Sequence, residues 1–234
     1  MSSVLITGAN RGIGLELARQ YLRDGWEVHA CSRDPDRSKD LQALSGEGLH
    51  VYALDVSDHY SIAALANKLS GIPLDLLINN AGIIGPTPVI ENIVRQNFGS
   101  IDYEVWADVL RTNTFGPVKM AEALLDNILA SEQKKIVTVS STVGSITERD
   151  TPAFAYATSK TAVNKAMALL ASLLKEQGVT VALLCPGYVK TRLDFGTADV
   201  EIPDSVAGMR EQITALTLAD SGSFTRYNGE QIRW

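Results

Sequence analysis

Tyr156 and Lys160 have the residue types and the spacing for proton transfer. They lie four positions apart in a predicted helix, so their side chains share one helix face, one turn apart. A free tyrosine has a pKa of about 10 and exchanges protons poorly at neutral pH. A neighbouring ammonium stabilises phenolate, which predicts a lowered Tyr156 pKa and a role as general acid or base. Many tyrosine–lysine pairs at this spacing lie on solvated helix faces without any catalytic role, so the assignment depends on other residues of the chain.

Two further polar residues accompany the pair. Ser141 follows the apolar run 135–139, and its hydroxyl could hold a substrate oxygen beside Tyr156. Alternatively, Ser140 and Ser141 are only a strand-end turn. Asn113 lies inside a predicted helix, where asparagine has poor propensity. Its amide either bonds backbone or an ordered water, or it marks a kink before Pro117.

The elements that must position these residues alternate along all 234 residues. Apolar strand-like runs and helical stretches follow one another, which predicts βαβ units and a three-layer α/β fold. We expect a doubly wound Rossmann fold with about seven parallel strands, helices on both faces, and a single domain over 1–234. Predicted helices include 103–130, kinked at 116–117, then 154–177 and 206–218.

In such a sheet a ligand lies beyond the carboxyl ends of the strands. Small, polar or charged residues stand at those points, where the preceding runs are apolar. They are the groups 8–14, 32–33, 55–56, 80–82, 140–141 and 186–187. A purely structural sheet does not need this at every strand end.

The first of these groups is rich in glycine. Gly8, Gly12 and Gly14 lie between the apolar run 4–6 and a predicted helix. A helix N-terminus offers unpaired N–H groups and a positive dipole end, and glycines let a phosphate approach closely. The stretch predicts a dinucleotide pyrophosphate site, although taken alone it also fits an ordinary strand–helix turn.

The residue after the second strand indicates the cofactor type. An NAD site places an acidic side chain there to bond the ribose 2′-OH, whereas this chain has Arg33. Asp34 comes later and precedes Pro35, so we do not assign it the ribose. A guanidinium suits a 2′-phosphate, and Arg11 could reach the same phosphate. The two arginines favour NADP(H) over NAD(H), unless both are ordinary surface residues.

Together these motifs resemble the short-chain dehydrogenase/reductase family, over the whole chain and in family order. The segments 7–14, 79–82 and 186–187 carry the resemblance, with Ser141 and the Tyr156–Lys160 pair. Segments 186–191 and 227–234 are similar to those of its carbonyl-reductase-like members, the sniffer and C-factor group. One departure is that Ser141 and Tyr156 lie farther apart than is common in the family, with the extra residues in 147–151.

The resemblance implies roles for these residues. Tyr156 would transfer the substrate proton, and Lys160 would lower its pKa and bind the nicotinamide ribose. Ser141 would position the carbonyl, and Asn113 would support a proton-relay water near Lys160. The complete set of expected cofactor-binding residues is Gly8, Asn10, Arg11, Gly12, Ile13, Gly14, Arg33, Asp55, Val56, Asn80, Ala81, Gly82, Tyr156, Lys160, Pro186, Gly187, Val189 and Thr191.

The leading function is therefore NADPH-dependent reduction of a small carbonyl compound: an aldehyde, ketone or quinone. An NADP(H)-binding sensor or signalling protein of the C-factor type is the alternative. Nucleotide-sugar epimerase or dehydratase chemistry is disfavoured by the short C-terminal part. A loop at about 192–206 and the segment 83–101 are expected to shape an apolar pocket, formed by Ile83, Ile84, Val89, Ile93, Val94, Phe98, Tyr188 and Phe195.

Composition limits partners and location. The net charge is −6, and without a basic cluster this argues against nucleic acid. No apolar run approaches the roughly 18 residues of a membrane span, and there is no signal peptide. Two cysteines read as packed thiols of a cytoplasmic protein, and the histidines lack metal-ligand spacing. The apolar arc of helix 154–177 is wide, which suggests a helix-paired homodimer.

Overall fold

The computed structural model describes residues 1–44, 46–148, 151, 153–192 and 196–234. Its strands are β1 (Ser3–Thr7), β2 (Glu27–Ser32), β3 (Leu49–Ala53), β4 (Leu76–Asn79), β5 (Lys135–Val139), β6 (Thr180–Cys185) and β7 (Phe224–Arg226). Within these ranges they form one seven-stranded parallel sheet in the order β3-β2-β1-β4-β5-β6-β7. The predicted doubly wound α/β fold is confirmed.

Helices occupy most of the segments between the strands. They are α1 (Gly12–Arg23), α2 (Lys39–Gln42), α3 (His59–Lys68), α4 (Val89–Asn92), α5 (Tyr103–Leu110), α6 (Gly116–Ala123), α7 (Leu125–Leu129), α8 (Phe154–Leu174) and α9 (Ile202–Ala215). Short 3₁₀ turns lie at Ile93–Gln96, Thr142–Gly144, Lys175–Gln177 and Leu218–Asp220, and a π-helical turn at Arg111–Phe115.

Helices cover both faces of the sheet except at its edge strand β3, which is largely exposed, and successive strand residues point into opposite layers. Leu5 belongs to one core with residues of α3, α6 and α8, whereas Val4 and Ile6 belong to the other with residues of α1 and α9. The strand order reverses where β1 lies between β2 and β4. Such a switch point opens a crevice at the carboxyl edge of the sheet, so the two helical layers leave a ligand site there.

The segment 103–130, expected as one long helix kinked at 116–117, is helical over most of its length, but its main irregularity lies just before the expected kink. The chain forms α5, then the π-helical turn, then α6 and α7. Pro117 explains the break, because it has no N–H to donate to the carbonyl of Asn113 four residues earlier. The deviation therefore lies on the N-terminal side of Pro117, at Arg111–Phe115, and it is a widened turn.

The last helix also begins earlier than expected. The sequence predicted 206–218, but α9 runs over Ile202–Ala215. Pro203 lies in its first turn, where proline is tolerated because that N–H has no intrahelical partner. The end of the predicted substrate loop at 192–206 is therefore helical. Its residues Leu193, Asp194 and Phe195 lie outside the described residues.

Helix α8 has apolar side chains on its exposed face, as the predicted helix-paired homodimer requires. Val163 and Met167 face the core, while Leu169 and Leu173 are 53% and 73% exposed. The apolar arc is thus wider than the sheet covers, although a helix-paired homodimer stays a prediction. In the part of the chain that the structure describes, no helix has the length and apolarity needed to cross a membrane.

Candidate active site

A cavity of about 1450 Å³ opens at the carboxyl edge of the sheet. It is lined by Ser141 and by every expected cofactor-binding residue: Gly8, Asn10, Arg11, Gly12, Ile13, Gly14, Arg33, Asp55, Val56, Asn80, Ala81, Gly82, Tyr156, Lys160, Pro186, Gly187, Val189 and Thr191. Residues from six strand ends therefore meet in one space, as parallel pairing requires. Asn113 is not among the lining residues.

The glycine-rich turn forms one end of this cavity. Gly8 and Gly12 have φ values of +68° and +57°, which side chains disfavour. A Cβ on Gly14 would collide with the carbonyl oxygen of Gly8, whereas a Cβ on Gly12 would have Thr191 Cγ2 as its nearest neighbour, 4.0 Å away. Arg11, at the N-cap of α1, makes no side-chain cap. The first turn of α1 thus presents bare backbone to the cavity, and this suits a phosphate.

Asn80 ties the end of β4 to this turn. Its Nδ2 donates to the carbonyl oxygens of Thr7 and Gly8 at 2.9 and 3.3 Å. The hydroxyl of Thr7 accepts from the N–H groups of Asn80 and Ala81, both at 3.0 Å. These four hydrogen bonds, each between a side chain and a backbone group, join the ends of β1 and β4 and so fix the shape of the turn.

Three arginines converge beside the glycine turn. Burial lowers the pKa of Arg11, and the positive charges of Arg192 and Arg33 lower it further. Within the described ranges, none of the three forms an ion pair with a carboxylate. Such a cluster favours an anionic ligand. Arg192 was not predicted from the sequence, although its position directly after Thr191, in the segment that follows β6, was a usable signal.

The two serines after β5 have different surroundings. Ser140 is buried, and its Oγ donates to Asn164 Oδ1 at 2.5 Å. Asn164 Nδ2 donates in turn to the carbonyl oxygen of Gly144 at 3.2 Å. Both serines line the cavity, but Ser141 is less buried, and hydrogen bonding to its side chain lowers the pKa of Tyr156. Ser141, rather than Ser140, is therefore the hydroxyl available to a ligand.

Lys160 is buried beside the same strand end. Lys160 is only 5% exposed, and its Nζ donates to the carbonyl oxygen of Val139 at 2.9 Å. Burial lowers the pKa of Lys160 to about 8, because desolvation disfavours the ammonium. Nζ lies 5.8 Å from the centre of the Tyr156 ring, so the two side chains share one helix face as predicted.

The predicted direction of the Tyr156 pKa is wrong for the ligand-free protein. Burial raises the pKa of Tyr156 to about 12, and hydrogen bonding to Ser141 offsets only part of this rise. The reason is that Lys160 directs its ammonium to Val139 and does not contact the phenol oxygen directly. Tyr156 is therefore a neutral hydroxyl, a proton donor, at physiological pH.

Asn113 acts on backbone, one of the two alternatives that the sequence left open. Its Oδ1 accepts from the N–H of Ile83 at 2.9 Å, and its Nδ2 donates to the carbonyl oxygen of Ile83 at 2.8 Å. Nδ2 also donates to Ser159 Oγ at 3.0 Å. The side chain thus joins the loop after β4 to α8, one residue before Lys160. A relay water near Lys160 stays a prediction.

The expected apolar pocket is formed only in part. Ile83, Ile84, Ile93 and Tyr188 line the cavity. Val89 is buried away from the cavity lining, and Val94 and Phe98 are exposed on the surface. Phe195 lies outside the described residues. The predicted reading of the cysteines as packed thiols is confirmed for both, since Cys31 and Cys185 are buried and free.

Comparisons with known proteins agree with this fold and site. The short chain dehydrogenase family model matches residues 2–199. The chain belongs to the short-chain dehydrogenase family, whose members are oxidoreductases. A carbonyl reductase from chicken fatty liver, solved with NADPH, is similar at 33% identity and a TM-score of 0.88 over 100% of this chain and 99% of that one.

Two other proteins match the expected carbonyl-reductase-like group. The carbonyl reductase Sniffer of Drosophila melanogaster is 29% identical, with a TM-score of 0.89 over the full length of both chains. C-signal of Myxococcus xanthus is 33% identical over 172 residues, which are 73% of this chain and 99% of that protein. The resemblance stated from the sequence motifs is confirmed.

The two serines give a contrast that stability measurements can test. Ser140→Ala removes the donor to buried Asn164 and should lower the free energy of unfolding by about 1–3 kcal/mol. Ser141→Ala removes a hydroxyl that faces the cavity and accepts one long hydrogen bond, from the N–H of Val143 at 3.4 Å, so its loss should be smaller, about 0.5–1 kcal/mol. Urea unfolding of both variants checks this. Equal losses, or a larger loss for Ser141→Ala, would contradict the placement.

Burial of Lys160 should give the ligand-free protein a distinct pH dependence. The Lys160 pKa falls from its ordinary 10.5 to about 8 on folding, so between these values the unfolded chain binds a proton that the folded chain lacks. Stability then rises with pH through this window, and the penalty is fully present below it. Relative to Lys160→Met, the wild type should gain stability between about pH 8 and 10. A pH-independent difference between the two unfolding curves would be the contrary result.

Proposed function

We propose that the protein is an NADPH-dependent reductase of a small carbonyl compound. The observation that carries the proposal is the convergence of Ser141, Tyr156 and Lys160 on one wall of the cavity whose other end is formed by the glycine turn and three arginines. A proton donor and an anion-binding end in one space suit a reaction in which a phosphate-bearing cofactor lies across both.

Tyr156, Ser141 and Lys160 have different roles in the proposed proton transfer. Tyr156, a neutral phenol, gives its proton to the oxygen of the carbonyl group as charge develops there. Ser141 donates a hydrogen bond to the same oxygen and holds it beside Tyr156. Lys160 supplies a buried positive charge that stabilises the phenolate left behind.

The proposed cofactor is NADP(H), which supplies the hydride when it is bound. The turn Gly8–Gly14 and the N-terminus of α1 would hold its pyrophosphate, and Arg11 and Arg33 its 2′-phosphate. Arg192 adds a third positive charge near Arg11. The NADPH-containing carbonyl reductase of similar fold supports this assignment. Lys160, Pro186, Gly187, Val189 and Thr191 would surround the nicotinamide end.

The proposed substrate is small and largely apolar. Ile83, Ile84 and Ile93, from the segment after β4, line the cavity together with Tyr188, which follows β6. Such a surface binds an apolar body, while Ser141 and Tyr156 orient one polar oxygen. Aldehydes, ketones and quinones have this combination.

A second candidate is an NADP(H)-binding sensor with little catalysis. The likeness to C-signal, a protein named for signalling, favours it. The presence of Ser141, Tyr156 and Lys160 in one cavity favours catalysis. The two functions differ in whether the phenol of Tyr156 is needed for anything beyond binding.

Substitution of the phenol distinguishes them. Tyr156→Phe should lower NADPH-dependent reduction of a reactive aldehyde or quinone by about 10²-fold or more and leave NADPH affinity within about threefold. Tyr103→Phe, at an exposed tyrosine, is the matched control and should be unchanged. The rate is followed by loss of NADPH absorbance and the affinity by fluorescence. A wild type that binds NADPH but is as inert as Tyr156→Phe would support the sensor instead.

The arginine cluster predicts the cofactor preference. The double variant Arg33→Asp with Arg11→Ala should weaken NADPH binding by about tenfold or more, since each arginine makes a charge-assisted contact, and should shift preference towards NADH. Arg23→Ala, an exposed arginine at the far end of α1, serves as control. An unchanged ratio of NADPH to NADH affinity in the double variant would defeat the assignment.

A further inference from the structure

Gln96 connects the cavity wall to the helix that carries Tyr156. It ends the 3₁₀ turn Ile93–Gln96 and is 1% exposed. Its Nε2 donates to the carbonyl oxygen of Ile84 at 2.6 Å, and its Oε1 accepts from the backbone N–H of Tyr156 at 3.0 Å. Both polar atoms of one buried amide are thus used, one on the segment after β4 and one on α8.

The contact with Tyr156 replaces a missing helix cap. The first N–H groups of an α-helix have no partner inside the helix. In α8 the N-cap residue is Ala153, which has no side-chain acceptor. The Tyr156 N–H belongs to this first turn, and Gln96, sixty residues earlier in the sequence, provides its acceptor. The position of the first turn of α8 therefore depends on a side chain from another segment.

Gly85 provides the space for this side chain. A Cβ at Gly85 would lie 2.8 Å from Gln96 Nε2, closer than van der Waals contact allows. The backbone of Gly85 is not in the left-handed region, so a side chain at this position would displace Gln96 Nε2 rather than strain the backbone. Gly85 is followed by Pro86, and it directly follows Ile84, the residue whose carbonyl Gln96 binds.

We propose that Gln96 is a positioning residue for Tyr156 and couples the substrate wall to the phenol. The inference rests on the proposed function. The Oε1 contact fixes the first turn of α8 and hence the phenol, while the Nε2 contact fixes Ile84, a residue of the apolar wall. Because a displacement of about 1 Å can cost about 10²-fold in rate, an amide that sets the distance between wall and phenol affects turnover without touching substrate.

Substitutions of Gln96 and Gly85 test the two hydrogen bonds of the Gln96 amide separately. Gln96→Leu removes both contacts at similar volume. Gln96→Glu keeps an acceptor for the Tyr156 N–H, in a place where the helix dipole favours negative charge, but it cannot donate to Ile84 when ionised. Gly85→Ala leaves Gln96 in place and pushes on its Nε2. Gln42→Leu is the control, since Gln42 also donates to a backbone carbonyl but lies on the exposed surface.

The first readout needs neither cofactor nor activity. Amide hydrogen exchange at Tyr156, measured by NMR on the ligand-free protein, should be about tenfold faster in Gln96→Leu, because the N–H loses its acceptor. It should stay near the wild-type rate in Gln96→Glu and Gln42→Leu. Unchanged exchange in Gln96→Leu would overturn the inference.

The second readout is reduction of 4-nitrobenzaldehyde with NADPH. Gln96→Leu should lower kcat about tenfold with an unchanged KM for NADPH. Gln96→Glu should keep kcat within about threefold and raise the KM for the aldehyde, and Gly85→Ala should show the same split. If Gln96 is only structural, all three variants lose thermal stability and kcat in parallel, with no split between kcat and KM.

The exchange and activity measurements test different claims, so a negative result in one does not imply a negative result in the other. A wild type that binds NADPH yet reduces no aldehyde, ketone or quinone contradicts the proposed function and the catalytic part of this inference with it. The exchange measurement still decides whether Gln96 orders the first turn of α8. Fast exchange in Gln96→Leu together with unchanged kcat would show that Gln96 caps the helix without positioning the phenol.

Discussion

The buried ammonium of Lys160 is the constraint on which the arrangement of the site depends. It donates to the carbonyl oxygen of Val139, so α8 must lie against the carboxyl end of β5. A Cβ on Gly144 would lie 2.8 Å from Lys160 Cβ, so the turn that follows Ser141 can approach the helix only because this residue is glycine. A desolvated lysine costs stability. Perturbed groups of this kind are typical of functional sites, and in the proposed mechanism the same charge stabilises the phenolate that forms on Tyr156.

The sheet explains why the rest of the site assembles around that charge. At its carboxyl edge, the reversal of strand order beside β1 leaves a crevice between the two helical layers. The glycine turn and the arginines occupy one end of it, and α8 occupies the other. Side-chain amides connect these parts: Asn80 joins β4 to the glycine turn, Asn113 joins the next loop to α8, and Asn164 holds the serine turn. Each amide bonds at least one backbone carbonyl, so hydrogen bonds hold these parts of the site together.

The sequence predicted the fold and most of the cavity because both follow from local patterns. Alternating strands and helices determine a parallel sheet, and the residues after each strand must then share one edge. It could not predict the direction of the Tyr156 pKa, which depends on burial and on which atom accepts the hydrogen bond of Lys160 in the folded protein. The π-helical turn at Arg111–Phe115 and the approach of Arg192 to Arg11 also needed the structure. Gln96 had no signal, because its contacts join segments far apart in the chain.

The most direct test of the account is the transfer of deuterium from NADPH labelled at C4 of the nicotinamide. The protein is incubated with the labelled cofactor and a small aldehyde, and the alcohol is analysed by mass spectrometry. With deuterium at both C4 positions of the nicotinamide, the alcohol should carry one deuterium on the carbinol carbon, because the hydride comes from C4; the hydroxyl hydrogen, which Tyr156 supplies, exchanges with water. A protein that binds the labelled cofactor tightly but produces no deuterated alcohol from any aldehyde, ketone or quinone would contradict it.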